Sequence, residues 1–380
     1  MKKKKASSKF KIDPSMVKIR KAKLTDLTHL VELENTCFDY DQLSRRNFHW
    51  MIKHAHSILM VQEYESRLVG YGLVLINSGT SLARLYSICI LKEYQGYGLA
   101  SKLLEVLETK ASLDEDCIYL RLEVKATNKS AIKLYEKYGY VKFTEKENYY
   151  DDGTSALCFE KRIRTLKKAP KLNVAYYQQG TEFTCGAACL LMAMKTFNPK
   201  LEVNLSKELQ IWREATTIFM TSGHGGCGPH GLALSAWRRG YRAEMYLSHS
   251  NALFLDTVRS QEKKKIIELV QKDFDKKIQE TNIRSHSKRV TLNDLKEILK
   301  KGGIPIVLIT TYHFDNNHAP HWVTVTAYED GFIYIHDPDQ EAEHEGVISR
   351  MHIPIPEEQF LKISRFGKTK LSATVVIYSE

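Results

Sequence analysis

The chain has 380 residues, 43% hydrophobic and 27% charged, which is long enough for two ordinary domains with separate cores. Its apolar runs, such as residues 68–76 and 304–309, are strand-sized, so no membrane-spanning segment is expected. The formal net charge is +11, but no aromatic residues interleave with the basic clusters, so direct nucleic-acid binding is not expected and the lysines read as solvated. Seven scattered cysteines, an odd number, make no disulfide framework and suit a reducing compartment.

The first residues, MKKKKASSKFK, are basic with no apolar stretch behind them. They predict a flexible tail over residues 1–15 and a cytoplasmic protein. Residues 17–20 read as a strand, and residues 24–38 as a helix with Leu27, Leu30, Val31 and Leu33 on one face. Residues 39–54 have no clean period. Residues 58–63 and 68–76 read as a hairpin around residues 65–67.

A strand over residues 84–91 then feeds EYQGYGLASKLL. Gly96 and Gly98 make a tight loop that opens a helix marked by Leu99, Leu103, Leu104 and Leu107. Glycines there let backbone amides at a helix N-terminus approach an anion, although an ordinary turn explains two glycines equally well. Next comes YLRLEVKATNKSAIKLYEKYGY: an alternating strand, then a short helix with Asn128 as N-cap and Gly139 as stop. Alternation sets Tyr119, Arg121 and Glu123 opposite Ile118, Leu120, Leu122 and Val124. By spacing alone, Glu123 is a solvated carboxylate and Tyr135 a core aromatic. Residues 148–162 close the domain, with NYYDDG as a turn between two strands.

QGYGLA and the following Asn128, Ala131, Leu134, Tyr135, Gly139 and Tyr140 resemble the GNAT N-acetyltransferases, most of all the ribosomal-protein N-terminal alanine acetyltransferases. The resemblance implies a GNAT fold with a mixed central sheet over residues 16–164 and acetyl-CoA as co-substrate. It implies coenzyme A contacts at Ile88, Ile90, Gln95, Gly96, Gly98, Leu99, Ala100 and Asn128, with Glu123 as base and Tyr135 as acid. An acyl transfer from a thioester needs both, because the acceptor amine must be neutral and the leaving thiolate protonated. Lys92 and Gln95 depart from the family, many of whose members have proline and arginine there. Phe38, Tyr40 and Trp50 are candidate acceptor contacts, with buried packing as the competing role, and Tyr149 and Tyr150 are candidates beside cross-strand packing. The acceptor is expected to be a peptide or protein with a free N-terminus, a ribosomal protein being one candidate. A small amine remains open.

The basic, proline-bearing RIRTLKKAPK, residues 162–171, marks the natural break; the linker is placed at residues 165–172, and a second domain over 173–380 follows. QQGTEFTCGAACLLM places Cys185 at the start of an apolar helix, where the dipole favours a thiolate over a thiol, while Cys189 lies one turn inside. GHGGCGPHG carries His224, Cys227 and His230, but three ligand types in a glycine-rich loop fit a rim better than a metal site, and no metal is expected. Residues 252–282 include a charged helix. Gly302 and Gly303 read as a helix C-cap rather than a cleavage site.

In APHWVTVTAYEDGFIYIHDPD two strands flank a turn at residues 329–331. Pairing Tyr328 with Phe332 sets His321 opposite Asp339 with Asp337 as diagonal neighbour, so either aspartate reaches the imidazole. His313 and His318 lack this strand context. These features resemble the papain-like peptidases that process bacteriocin precursors at double-glycine leaders. The resemblance implies an α+β domain, making the whole chain α/β (α+β), with Cys185 as nucleophile, His321 as base, Asp337 as its orienter and Gln179 as an oxyanion donor. The domain either cleaves peptides or only binds them, and thiol labelling separates the two, because an idle cysteine labels slowly at neutral pH.

Overall fold

A computed structural model describes residues 12–38, 42–77, 79–164, 173–216, 225–249, 260–310, 320–339, 350–366 and 370–380. Tyr40, His224, His313, His318 and the linker residues 165–172 lie outside them, as do residues 1–11 of the basic tail. Two compact units divide the chain, Met1–Thr165 and Leu166–Glu380.

The first unit is a seven-stranded mixed sheet in the order β1-β2-β3-β4-β5-β7-β6. Its strands are β1 (Lys18–Lys21), β2 (Ser57–Tyr64), β3 (Arg67–Ile76), β4 (Leu82–Ile90), β5 (Tyr119–Lys125), β6 (Val141–Lys146) and β7 (Ala156–Arg162). Helices α1 (Leu27–Cys37), α2 (Arg45–Lys53), α3 (Leu99–Leu113) and α4 (Lys129–Lys137) complete it. The β2–β3 hairpin turns through Glu65 and Ser66, both at positive φ, as its two-residue loop requires. Ile12 is buried against the core, and the Asp13 carboxylate accepts the Ser15 amide to cap the turn Pro14–Met16.

Helix α2 is the element that periodicity misses. It buries only Phe48, which meets Tyr71 edge-on at 5.4 Å, while Trp50 is 51% exposed, so the aromatic positions give no single stripe. The burial expected for Trp50 is therefore corrected. Its N-terminus is fixed locally, by a Ser44–Asn47 capping box.

Every neighbouring pair of strands in this sheet is antiparallel except β4 and β5, which α3 joins as a crossover. These two pair only at Leu82 with Tyr119, Ala83 with Leu120, and Arg84 with Arg121. Beyond that the ladder stops. Residues 85–90 and 122–125 flank an opening in the sheet, so main-chain groups there are left to a ligand or water.

The second unit is a seven-stranded sheet in the order β13-β12-β11-β10-β14-β8-β9. The strands are β8 (Arg242–Leu247), β9 (Arg284–His286), β10 (Ile304–Thr310), β11 (Pro320–Glu329), β12 (Phe332–His336), β13 (Ile353–Pro356) and β14 (Ala373–Tyr378). Helices α5 (Cys185–Phe197), α6 (Leu205–Ala215), α7 (Pro229–Trp237), α8 (Gln261–Gln279) and α9 (Leu292–Lys300) pack around it, with a short helix at Glu357–Ile363. Ile304, Ile306 and Leu308 of β10 join the core containing α5 and α7, whereas Val307 and Ile309 join the core containing α9. Burial on both faces explains why residues 304–309 of β10 and 375–378 of β14 are unbroken apolar runs. Helix α5 runs through the first of these cores, with residues Cys185 to Met194 all buried.

The Gly302–Gly303 pair is a helix C-cap: Gly302 has φ 77°, and its amide and that of Gly303 donate to the Leu299 and Ile298 carbonyls. Among the described residues no helix is long and apolar enough to cross a membrane.

Candidate active sites

In the first unit, β4 runs into a turn of 3-10 helix, Lys92–Tyr94, then the glycine loop, then α3. Gly96 and Gly98 have φ of 85° and 77°, where a side chain is strained, and open space surrounds both. Gly98 is the N-cap of α3 and gives it no side-chain cap. The first-turn amides of Leu99, Ala100 and Ser101 therefore lack intrahelical acceptors beside an uncluttered loop, an arrangement suited to phosphate oxygens. Leu99 and Ile90 bury their side chains in the core, so only their main chains can serve a ligand, while Ile88 is half-buried. Gln95 turns its amide onto the Ile90 carbonyl at 2.9 Å. Asn128 caps α4 through the Ala131 amide at 3.2 Å.

Glu123 is not the solvated carboxylate that its spacing suggests. Its side chain is 5% exposed, Arg84 Nε donates to Oε2 at 3.0 Å, and Lys146 Nζ lies 3.9 Å from Oε1. Oε1 accepts no hydrogen bond among the described residues. The strand face opposite the apolar one is buried too: Arg121 is 1% exposed, pairs with Glu160 and stacks its guanidinium 5.1 Å from the Phe143 ring centre. Tyr135 is buried against Tyr140, and burial raises its phenol well above the usual value, so it holds its proton at neutral pH. The sequence reading missed Arg84 and Lys146 as partners. A lone arginine inside the apolar run LARLYSICI was the available signal, since a buried cation requires a partner.

In the second unit, Cys185 is the first residue of α5 and is 8% exposed. His321, near the start of β11, places Nε2 2.7 Å from Asp337 Oδ1 just beyond β12. Burial alone would depress the imidazolium, but the charge and hydrogen bond of Asp337, with the Cys185 thiol as a further partner, lift His321 well above its ordinary value. Burial likewise opposes an ionised Asp337. His321 and Arg350 overcome it and hold the carboxyl well below the usual range, with Arg350 Nη1 donating to Oδ2 at 2.7 Å.

The register that builds this pair is not the one predicted at the turn. Glu329 pairs with Phe332 and Tyr328 with Ile333 across Asp330 and Gly331, both at positive φ. A bulge between Val325 and Ala327 then shifts the ladder, so Val325 faces Ile335, the partner that a Tyr328–Phe332 register assigns it. The two differences cancel before the site. Asp337, not Asp339, takes the imidazole.

Gln179 is 3% exposed and donates from Nε2 to Asp339 Oδ1 at 2.9 Å. The loop leading to Cys185 is pinned by a residue the sequence reading missed. Glu208 of α6, fully buried, accepts from Tyr177 Oη at 2.8 Å, from the Gly180 amide at 2.9 Å and from the Thr184 hydroxyl. A Cβ at Gly180 would stand 2.5 Å from Leu205 Cδ1, and one at Gly186 would stand 2.8 Å from Cys227 Cβ. Close packing thus explains a glycine on each side of the helix start. Cys227 borders the site: its carbonyl accepts Trp322 Nε1 at 3.0 Å, and burial raises its thiol well above the ordinary value. His230 bonds to Gln271 and faces Asp275. Among the described residues no group of His, Cys, Asp and Glu is placed to hold a metal ion.

These geometries define a glycine loop at an uncapped helix N-terminus in one unit and a thiol, imidazole and carboxylate set in the other. Residues 26–163 match the acetyltransferase (GNAT) domain model, and residues 174–378 match the Peptidase_C39 like family model. The chain belongs to the Peptidase_C39 like family through its second unit and to the GNAT acetyltransferases through its first. An uncharacterized N-acetyltransferase of Methanocaldococcus jannaschii is 30% identical over 151 residues, 39% of this chain and 94% of that protein. The Bacillus subtilis protein described as a [ribosomal protein bS18]-alanine N-acetyltransferase is 28% identical over 141 residues, 37% of this chain and 91% of that one. The NAA10 catalytic subunit of the N-terminal acetyltransferase A complex of Arabidopsis thaliana is 25% identical over 152 residues, covering 39% and 79%.

Proposed function

We propose that the first unit of this acetyltransferase transfers acetyl from acetyl-CoA to the α-amine of a peptide or protein. The second unit, in the same proposal, cleaves peptides through Cys185. The open N-terminus of α3 beside the β4–β5 gap supports coenzyme A binding, with the pantetheine arm in the gap and its phosphates on the amides of residues 96 to 100. Arg84 occupies one oxygen of Glu123, leaving Oε1 to take the ammonium proton, directly or through a water. The amine nitrogen then attacks the thioester carbonyl, and Tyr135 protonates the departing thiolate. Relatives named for N-terminal and alanine N-acetylation favour an α-amine acceptor, a ribosomal protein included.

In the second unit the observation that carries the reading is the buried 2.7 Å His321–Asp337 pair behind a helix-initial cysteine. The Cys185 sulfur attacks the scissile carbonyl, and the resulting oxyanion takes a hydrogen bond from Gln179. The amine leaves with a proton from His321, and water, deprotonated by the same imidazole, releases the acid from the thioester. A new N-terminus made by one unit is a chemically suitable acceptor for the other. Seven free cysteines favour a cytoplasmic setting.

Mass spectrometry of a peptide library incubated with acetyl-CoA and the protein tests both halves. Acetylated N-termini lost in Glu123→Gln, and shortened peptides lost in Cys185→Ala, are the expected result. Acetylation without cleavage, with slow alkylation of Cys185, would reduce the second unit to a peptide-binding module. Acetylation of small amines alone would overturn the N-terminal assignment.

A further inference from the structure

One tripeptide, Asp337, Pro338 and Asp339, holds two parts of the second site at once. Asp337 Oδ1 receives His321 Nε2 at 2.7 Å and the Asp339 amide at 3.0 Å. Pro338 offers its carbonyl to the Gln179 amide at 2.8 Å, and Asp339 Oδ1 receives Gln179 Nε2 at 2.9 Å. Tyr176 Oη ties the Asp337 carbonyl at 3.1 Å. The base orienter and the expected oxyanion donor are thus joined through one short segment.

A carboxamide turns easily about its last torsion, so a buried Gln can present either its oxygen or its nitrogen to a neighbour. Here the choice is forced. Reversing the amide would set Gln179 Oε1 against the Asp339 carboxylate, oxygen to oxygen, so Nε2 faces Asp339. Oε1, which is buried and accepts no hydrogen bond among the described residues, contributes nothing to the orientation. One N–H of the group is then spent on Asp339, and amide planarity fixes the direction of the other.

We infer that Asp339 is a positioning residue for the oxyanion donor: it locks the Gln179 carboxamide with one N–H, so that the second N–H is pre-aimed at the charge developing on the scissile oxygen. The inference rests on the peptidase reading of this unit. It assigns Asp339 no contact with the substrate, and it separates the role of Asp339 from that of Asp337, which acts on the imidazole. Pre-aimed donors act mainly in the transition state, so the effect belongs in kcat rather than KM.

The test uses the full chain with a fluorogenic peptide ending in Gly-Gly and a peptide aldehyde of the same sequence, alongside iodoacetamide alkylation of Cys185. Asp339→Ala is expected to lower kcat about tenfold to a hundredfold, with KM within about twofold. It should weaken the aldehyde to a similar degree and leave the alkylation rate unchanged. Asp339→Asn keeps an acceptor oxygen for Gln179 Nε2 and is expected to stay within about threefold of the parent. Adding Asp339→Ala to Gln179→Ala should cost nothing further.

Slowed alkylation in Asp339→Ala would show that Asp339 acts through the thiol and imidazole, and would overturn the inference. Equal losses from Asp339→Ala in the parent and in the Gln179→Ala background would overturn it too, as would an Asp339→Asn variant as weak as the alanine. A parent chain that neither cleaves the peptide nor binds the aldehyde would sink the peptidase reading itself, and this inference with it.

Discussion

The two units place chemistry in opposite kinds of environment. In the first, the candidate site lies where regular structure stops: the β4–β5 ladder ends after Arg84 and Arg121, and α3 begins at a glycine with no side-chain cap. In the second, each catalytic candidate is tied into a hydrogen-bonded set, with Asp337 alone receiving His321, Arg350 and the Asp339 amide. In the proposed reading, the opening leaves main-chain amides for a large, flexible, multiply charged cosubstrate. In the same reading, the locked set serves a nucleophile that works only when its base keeps one orientation. One site is therefore expected to be sensitive to backbone changes, and the other to the loss of single side-chain partners.

The largest effect that would break this comparison is the pair of catalytic knockouts. Cys185→Ala is expected to lower cleavage at least about a thousandfold while leaving acetylation intact. Glu123→Gln is expected to lower acetylation about a hundredfold or more and leave cleavage intact, both measured by product mass spectrometry. Next is Gly98→Val, which forces a β-branched residue to φ 77° at the start of α3. Its KM for acetyl-CoA should rise about tenfold or more with little change in peptide cleavage. Saturation curves for both substrates decide it.

Of intermediate size is Glu208→Gln. The carboxylate accepts from three donors, and an amide would turn an N–H toward one of them, so thermal or urea unfolding of the second unit should show a loss of about 1–3 kcal/mol, accompanied by reduced cleavage. The smallest effect concerns pH. His321 binds its proton more tightly in the folded chain than unfolded, so its stabilisation is full below the unfolded value near 6.5 and is lost as pH rises through the higher folded value. Asp337 has the opposite sign: its stabilisation is present above about 3.9 and is lost only as pH falls through the lower folded value. The His321 imidazolium should thus persist past neutral pH, and Asp337→Asn should move the alkaline limb of kcat/KM to lower pH. A limb that stays in place would disconnect Asp337 from the imidazole.

Much of both sites was legible because it depends on short-range geometry. Positive φ at Gly96 and Gly98, the Asn128 cap, the Asp330–Gly331 turn and a cysteine opening an apolar helix are set within a few residues, by steric limits and by hydrogen bonds to neighbouring amides. The strand register at His321 came out as expected only because a one-residue difference at the turn was cancelled by the bulge between Val325 and Ala327. Periodicity carries no mark of such a bulge.

The sequence by itself determined the two folds and their order along the chain, and it offered candidate residues for each site. Only the tertiary structure decided what those residues are tied to. Arg84 on Glu123, Glu208 on the loop before Cys185, and Asp339 on Gln179 join residues distant in the chain, and in each link packing removes at least one member from water, the Glu123 side chain, Glu208 or Gln179, so that its polar atoms must find a partner in the protein. A buried carboxylate, amide or guanidinium must find such a partner. Which one it finds depends on the surfaces that the folded strands and helices bring together, and that pairing has no period in the sequence.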